Sequence, residues 1–302
     1  VAEFLVEWLT REGFQVRTIA LHPDRPNVVA TLVGSGGGHS LLFNAHMDTS
    51  VSDQDIWIYR DPRKAIDHQA WREGDRLYGN GIVNDKGPMA CFLMAAKALK
   101  EAGILLKGDL LLTAVVGEIE REPVDEYLPA DFASHDVGCR YMVSRGVVAD
   151  YALVAENTQL GFGPLEAGKC LFKLTVYGGP SLYVPYLTRP YRVSENPNAI
   201  VKMAKLVEEL EDWALAYEKA NVYEREWGRM VPKVNLGAIR GGAPYFPSVS
   251  PEICSLYMDV RTTPAQDPIA VKESLEGLLE RLGFEGAVEL YLHRRGYEAQ
   301  GI

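Results

Sequence analysis

The sequence predicts an α/β domain followed by an α+β domain of ferredoxin-like order, and three observations carry that expectation. Apolar strands alternate with amphipathic helices through the first half of the chain. From about Lys169 the order becomes β-α-β-β-α-β, the split-βαβ plan. No long flexible linker separates the two halves, as when one domain is inserted into another. The boundary is placed near Gly168, giving domains of 1–168 and 169–296, with 297–302 leading onward.

Val1, Phe4, Leu5, Trp8 and Leu9 follow helical spacing and predict an opening helix. Neither a capping residue nor a methionine precedes them, and the chain stops at Gly301-Ile302 just past a strand, so further sequence is expected at both ends. Strands are expected at Val28 to Val33, Leu41 to Asn44, Leu110 to Val116 and Tyr151 to Ala155. Their near-continuous apolar character suits strands buried on both faces. A helix with Met89, Phe92, Leu93, Ala96 and Leu99 on one face ends at Gly103. In the second half, a strand at Leu171 to Val176 precedes a helix with Asn196 as N-cap and Pro197 in its first turn. Its apolar stripe is Ile200, Met203, Val207 and Leu210. Strands at Lys233 to Ile239 and Ile253 to Arg261 come next. A helix from Asp267-Pro268 buries Val271, Leu275, Leu278 and Leu282, and the last strand is Val288 to His293.

The 302 residues are 47% hydrophobic and 24% charged, ordinary for a globular protein and enough for two domains. A net charge of −10 opposes phosphate backbones and argues against a nucleic-acid partner. No apolar run is long enough to span a bilayer and no leader opens the chain, so a cytoplasmic protein without membrane contacts is expected. Cys91, Cys139, Cys170 and Cys254 form no CxxC pair and read as free, mostly buried thiols.

Three of the predicted strands run into residues that bind cations or move protons. They lead to His46-Met47-Asp48, to Gly117-Glu118-Ile119-Glu120, and to Glu156-Asn157-Thr158. The glycine-rich turn from Gly79 to Gly87 carries Asn84, Asp85 and Lys86 into the helix at Pro88. Ligands of open α/β sheets bind at the carboxyl ends of strands, so the four pieces converge on one cleft. One imidazole with several carboxylates there suits zinc or manganese.

These segments resemble those of the aminoacylase, carboxypeptidase G and succinyl-diaminopimelate desuccinylase family of metallohydrolases. Asn44 to Thr49 matches its first metal motif, and Gly79 to Ala90 matches the second, including Asp85-Lys86-Gly87. Val116-Gly117-Glu118 is similar to the strand end carrying the base, Asp150 to Thr158 to another ligand segment, and Cys254 to Arg261 to the lid strand. The resemblance implies a zinc-peptidase-like α/β catalytic domain with an inserted ferredoxin-like α+β lid that also dimerises. The chain would be the front two-thirds of such an enzyme, with residues 297–302 returning toward a C-terminal catalytic segment. Carried over, His46 and Glu156 would be metal ligands, Asp48 would orient His46 through its other ring nitrogen, and Glu118 would be the general base. Tyr183 and Arg261 become candidate substrate contacts, Arg261 for a carboxylate, although an arginine on the lid strand reads equally well as a structural ion pair.

The departures are specific. Asn84 stands where the family has a bridging aspartate, and Ile119 where it has a second glutamate ligand. An amide is a neutral and poor bridge, and isoleucine coordinates nothing. The family's lid histidine after Gly178 and its lid-loop asparagine are missing, with Tyr183 and Ser248 closest to their places. These losses fall on one ion, so a single divalent cation per chain is expected, completed by Asn84 or Asp85. Either of those two could instead cap the helix that follows. Glu120 reads as solvent-facing or paired with Arg121. His22, His39, His68, His135 and His293 lack motif context, and Gly34 to Gly38 reads as a turn between strands rather than a phosphate cradle.

The leading expectation is a hydrolase that cleaves an amide of a small N-acyl amino acid, dipeptide or related acid by activated water. A variant uses the same machinery on a non-peptide C–N bond of an amino-substituted aromatic or aliphatic acid. The third reading is an inactive binding protein on this scaffold, favoured by Asn84 and Ile119 and opposed by the retained His46, Asp48, Glu118 and Glu156. A homodimer through the lid follows from the resemblance, with Leu171 to Val176 or a partner strand as the edge that pairs across a two-fold.

Overall fold

The computed structural model describes residues 1–49, 60, 70–119, 122–128, 135, 137–158, 160–226 and 228–299. Two units, Val1–Gly161 and Phe162–Ile302, each have their own core.

The first unit contains α1 (Ala2–Arg11), β1 (Gln15–Ile19), β2 (Asn27–Leu32), β3 (Leu41–His46), β4 (Trp71–Glu73), β5 (Arg76–Tyr78), α2 (Gly87–Glu101), β6 (Leu110–Val115), α3 (Val137–Ser144) and β7 (Tyr151–Val154). Its main sheet has the order β1-β2-β6-β3-β7. β3 runs parallel to β6 and β7, whereas β1, β2 and β6 are joined antiparallel. Every residue of β6 is buried, because successive side chains enter two different cores. Leu110, Leu112 and Ala114 pack with Leu5, Leu9 and Phe92 of the helices α1 and α2. Leu111 and Val115 pack with Met142 and Val147 on the other face. That double burial explains the near-continuous apolar run in the sequence, interrupted only by the buried Thr113.

β7 departs from the expectation of burial on both faces. It is the edge strand of the described sheet, and Tyr151, Ala152 and Val154 are exposed. Phe4, expected in the apolar stripe of α1, is also exposed, so that helix rests on Leu5 and Leu9. Strand β1 and helix α3 carried too weak a pattern to be anticipated. β1 alternates mostly exposed residues at a sheet edge, and α3 is two turns long.

The second unit contains β8 (Leu165–Glu166), β9 (Gly168–Tyr177), α4 (Ala199–Ala220), β10 (Tyr223–Arg225), β11 (Gly228–Met230), β12 (Val234–Gly241), β13 (Ile253–Thr262), α5 (Pro268–Leu282), β14 (Gly286–Arg294) and β15 (Tyr297–Glu298). The antiparallel sheet β12-β13-β9-β14, with α4 and α5, is the ferredoxin-like order. Phe172, Leu174, Leu206, Leu210, Leu256 and Leu275 form the centre of its core. β9 is therefore an interior strand, and the sheet's edges are β12 and β14. This corrects the assignment of Leu171 to Val176 as a pairing edge. Tyr297 and Glu298 pair with Glu166 and Leu165 within this same unit.

The start of α4 also differs from expectation. The N-cap is Asn198, whose side chain accepts from Ile200 N–H at 2.9 Å, and Asn196 accepts from Asn198 N–H in the preceding turn. Two overlapping Asx turns follow one another here, and the second one opens the helix. Ile200 consequently faces solvent, and Met203, Leu206, Leu210 and Tyr217 form the buried stripe. Asp267 caps α5 as the sequence implies, accepting from Ile269 N–H at 2.9 Å. Leu279 rather than Leu282 completes its buried face. Of the cysteines, Cys170 and Cys254 are buried, Cys139 is half-buried and Cys91 is exposed; all four are free thiols.

Candidate metal and catalytic site

The parallel run of β3, β6 and β7 brings three carboxyl ends to one side of the first unit. The ladder continues one residue past each strand, with Met47 N–H donating to Val115 O and Ala155 N–H to Asn44 O, both at 2.8 Å. His46, Glu118 and Glu156 thereby become neighbours. The turn before α2 adds Asn84 and Asp85. Gly81 there has φ of +77°, and a Cβ on it would lie 2.4 Å from Thr49 and 2.8 Å from the Lys86 ammonium, so only glycine fits.

His46 is almost wholly buried, at 2% exposure. Its Nδ1 lies 3.1 Å from the backbone oxygen of Asp48, and its Nε2 lies 2.5 Å from Asn84 Oδ1. Glu118 Oε2 and Glu156 Oε1 stand 3.7 and 3.9 Å from the same Nε2. A neutral imidazole donates from one nitrogen only, and here both nitrogens face oxygens. With Nδ1–H donating to Asp48 O, the Nε2 lone pair points into a group of oxygens. That arrangement is stabilised by a proton or a cation placed among them.

Asp85 is fully buried. Its Oδ2 accepts from His46 N–H at 3.2 Å, and its Oδ1 has no hydrogen-bond partner. Burial, and then the nearby Glu156 carboxylate, push its pKa up to about 7. His46, Asp85 and Glu156 each offer a ligand atom within 4.8 Å of the others. One imidazole and two carboxylates, one of them with an orphaned buried oxygen, fit a divalent cation. Lys86 lies close by, its Nζ buried without a hydrogen-bond partner; burial lowers its pKa, opposed by Asp48 and Asp85.

Asp48 is placed differently from the expected orienting contact. Its carboxylate Oδ1 is 3.9 Å from His46 Nδ1, while Oδ2 accepts from Ile119 N–H at 2.5 Å. The backbone oxygen, not the carboxylate, faces the imidazole, because the side chain is taken by the turn that follows β6. The Ile119 backbone is thus used where its side chain offers no ligand. Glu118 is 39% exposed, so a carboxylate beside the buried group remains open to solvent. Glu120 lies outside the described residues.

The candidate substrate residues belong to the second unit. Tyr183 is exposed on a segment that pairs with Val249 and holds Val184 N–H against Ser248 O at 2.9 Å. Arg261 Nη2 bonds Asp259 Oδ2 at 2.9 Å, an ion pair two residues apart on β13. Asn27 was not anticipated from sequence: it is buried and anchors the chain just before Glu118. Two of its three partners lie 89 and 111 residues away, and no local pattern announces those.

Comparisons with known proteins bear on the family and the fold. Residues 42–218 match the sequence profile of Peptidase family M20/M25/M40, and residues 189–287 match that of the Peptidase dimerisation domain. A Bacillus subtilis N-formyl-4-amino-5-aminomethyl-2-methylpyrimidine deformylase is 31% identical over 162 residues, covering 53% of this chain and 34% of the relative. A probable succinyl-diaminopimelate desuccinylase of Staphylococcus epidermidis is 23% identical over 94% of this chain and 68% of its own length. Among solved structures, a Staphylococcus aureus tripeptidase aligns with a TM-score of 0.62 at 18% identity, over 99% of this chain and 71% of that one. A dinuclear metal-binding peptidase of Bacillus subtilis aligns with a TM-score of 0.58 at 14% identity, over 99% and 69%. The chain spans about a third of the length of the first three curated relatives, at 34%, 33% and 30%. With its ordered motifs and more than half its residues within the profile, the chain belongs to Peptidase family M20/M25/M40.

Proposed function

We propose that the protein is a metal-dependent hydrolase of an amide bond in a small N-acyl amine or amino acid. One observation carries the reading: a single buried imidazole nitrogen confronts the oxygens of Asn84, Glu118 and Glu156, beside the unpartnered Oδ1 of Asp85. A bound divalent cation supplies polarisation of the scissile carbonyl and acidifies water. His46, Asp85 and Glu156 hold that cation, and Asn84 faces the same imidazole nitrogen. Glu118 takes the proton from the attacking water and passes it to the leaving nitrogen, a role suited to its partial exposure. Asp48 fixes the turn that carries Glu118.

One ion per chain is the stoichiometry we favour, as zinc or manganese, because Asn84 and Ile119 remove two anionic ligands from a second position. The relatives named deformylase, desuccinylase and deacetylase support an N-acyl substrate. The deformylase also supports the variant in which the bond belongs to an amino-substituted aromatic compound. Tyr183 and Arg261 are proposed substrate contacts. The second unit is proposed as lid and homodimer interface, supported by the dimerisation-domain match. No helix among the described residues is long and apolar enough to cross a membrane, and the free cysteines support a cytoplasmic setting.

The test is turnover of N-formyl, N-acetyl and N-succinyl amino acids, dipeptides and N-formyl aminomethyl-heteroaromatics by the full-length protein with added Zn²⁺ or Mn²⁺. Loss of turnover in Glu118→Ala, with metal still bound, is the expected result. Binding without turnover in the wild type would instead favour the non-catalytic reading that Ile119 and Asn84 suggest.

A further inference from the structure

We propose that Asn27 is a positioning residue for Glu118, holding from one side the backbone arch that Asp48 holds from the other. The proposal rests on the reading of Glu118 as general base. β6 leaves its ladder at Val115, and the next residue must find partners elsewhere for its N–H and C=O. Val116 N–H donates to Asn27 Oδ1 at 3.0 Å, and Val116 O accepts from Gly138 N–H at 3.1 Å. Asn27 in turn donates both amide hydrogens, to Ile19 O at 3.0 Å and Gly138 O at 3.1 Å.

All the donors of this buried amide, together with its oxygen, are therefore engaged. Rotating it by half a turn would set its NH₂ against the Val116 N–H and its oxygen against two carbonyls. The amide is locked, and it ties β1, the end of β6 and the first turn of α3 into one node. Gly138 closes that node sterically, because a Cβ there would sit 2.1 Å from Val116 O and 2.5 Å from Asn27 Oδ1. Gly117 then turns the chain with φ of +79°, and Ile119 N–H is held by Asp48. Glu118 thus projects from an arch with both feet pinned, and its carboxylate lies 3.7 Å from His46 Nε2. Shifting the Asn27 foot moves the carboxylate, while His46, Asp85 and Glu156, none of which Asn27 contacts, stay in place.

The experiment compares Asn27→Ser and Gly138→Ala with Val29→Ala, a packing variant of the same strand, in full-length protein with Zn²⁺ or Mn²⁺ and the N-acyl amino acid panel. Asn27→Ser and Gly138→Ala should lower kcat by about 10–100-fold. KM should change less than about threefold and metal content should hold, with a shifted acid limb in the pH profile of kcat. Hydrogen exchange at the Val116 and Ile119 amides should accelerate, whereas that of Met47 should not. Val29→Ala should lower thermal stability without these changes. In a Glu118→Gln background, Asn27→Ser should cost nothing more. Unchanged exchange at residues 116 and 119 would overturn the proposal, even without a substrate. So would a kcat loss matched by Val29→Ala, or one that multiplies with Glu118→Gln. Wild-type turnover by Glu118→Gln alone would instead remove the base assignment and leave the anchoring itself measurable by exchange.

Discussion

The carboxylate of Asp48 accepts a hydrogen bond from the backbone N–H of Ile119 at 2.5 Å. The contact joins the turn after β3, which carries His46, to the turn after β6, which carries Glu118. Asp48 therefore couples the imidazole, through its backbone oxygen, to the turn that carries Glu118, through its side chain. Removing the side chain should loosen both. Asp48→Ala is expected to lower metal affinity or kcat by about 10–100-fold, as outer-sphere partners of metal sites do. Titration calorimetry together with steady-state rates measures the two effects.

Replacing Glu118 by Gln keeps shape and removes basicity. Turnover should fall by about 10²–10⁴-fold while bound metal, measured by elemental analysis, stays the same. A parallel loss of metal would reassign Glu118 as a ligand.

Asp85 sets a pH dependence. Its carboxyl is pushed up to about 7 by burial and then by Glu156, so a proton competes with any cation below that pH. Metal affinity should fall by about tenfold per unit as pH drops below 7. In metal-free protein the sign reverses. The folded state holds a proton that the unfolded state releases near 3.8, so stability falls as pH rises from about 4 to 7. Melting curves of chelated wild type and Asp85→Asn at pH 5 and 8 isolate the group, since Asp85→Asn should lose this slope.

Asn84 and Ile119 bear on the number of ions. Asn84→Asp with Ile119→Glu restores two anionic groups and should raise bound metal from one ion toward two per chain. If the double substitution leaves stoichiometry unchanged, other residues limit the second position.

In the second unit, Asn198→Ala should destabilise by about 0.5–2 kcal/mol through loss of the cap. Leu275→Ala should cost about 2–5 kcal/mol through an unfilled space in the core. Chemical denaturation reads both. A larger effect at Asn196 than at Asn198 would show that the cap lies where the sequence pattern suggested.

Much of this architecture was legible from apolar runs: β6 is buried along its whole length with Thr113 as its one polar residue, and β9 sends Cys170, Phe172, Leu174 and Val176 into its core. The motif residues were legible for a related reason: they stand at strand ends, where an apolar run stops on His46, Glu118 or Glu156. β7 was over-read, since its apolar residues lie on an exposed edge of the described sheet. The cap of α4 was misplaced because two asparagines, Asn196 and Asn198, both form Asx turns and only geometry distinguishes them. The contacts of Asp48 and Asn27 were hidden altogether. Each links a side chain to backbone many residues away, and backbone partners leave no mark in sequence.

His46, Asp85 and Glu156 are proposed to hold one divalent ion beside Glu118. Counting tightly bound Zn²⁺ and Mn²⁺ per chain after exhaustive dialysis, in full-length wild type and in His46→Ala, tests it most directly. One ion in the wild type and none in the variant is the expected result. Two ions in the wild type, or one that survives loss of the imidazole, would contradict it.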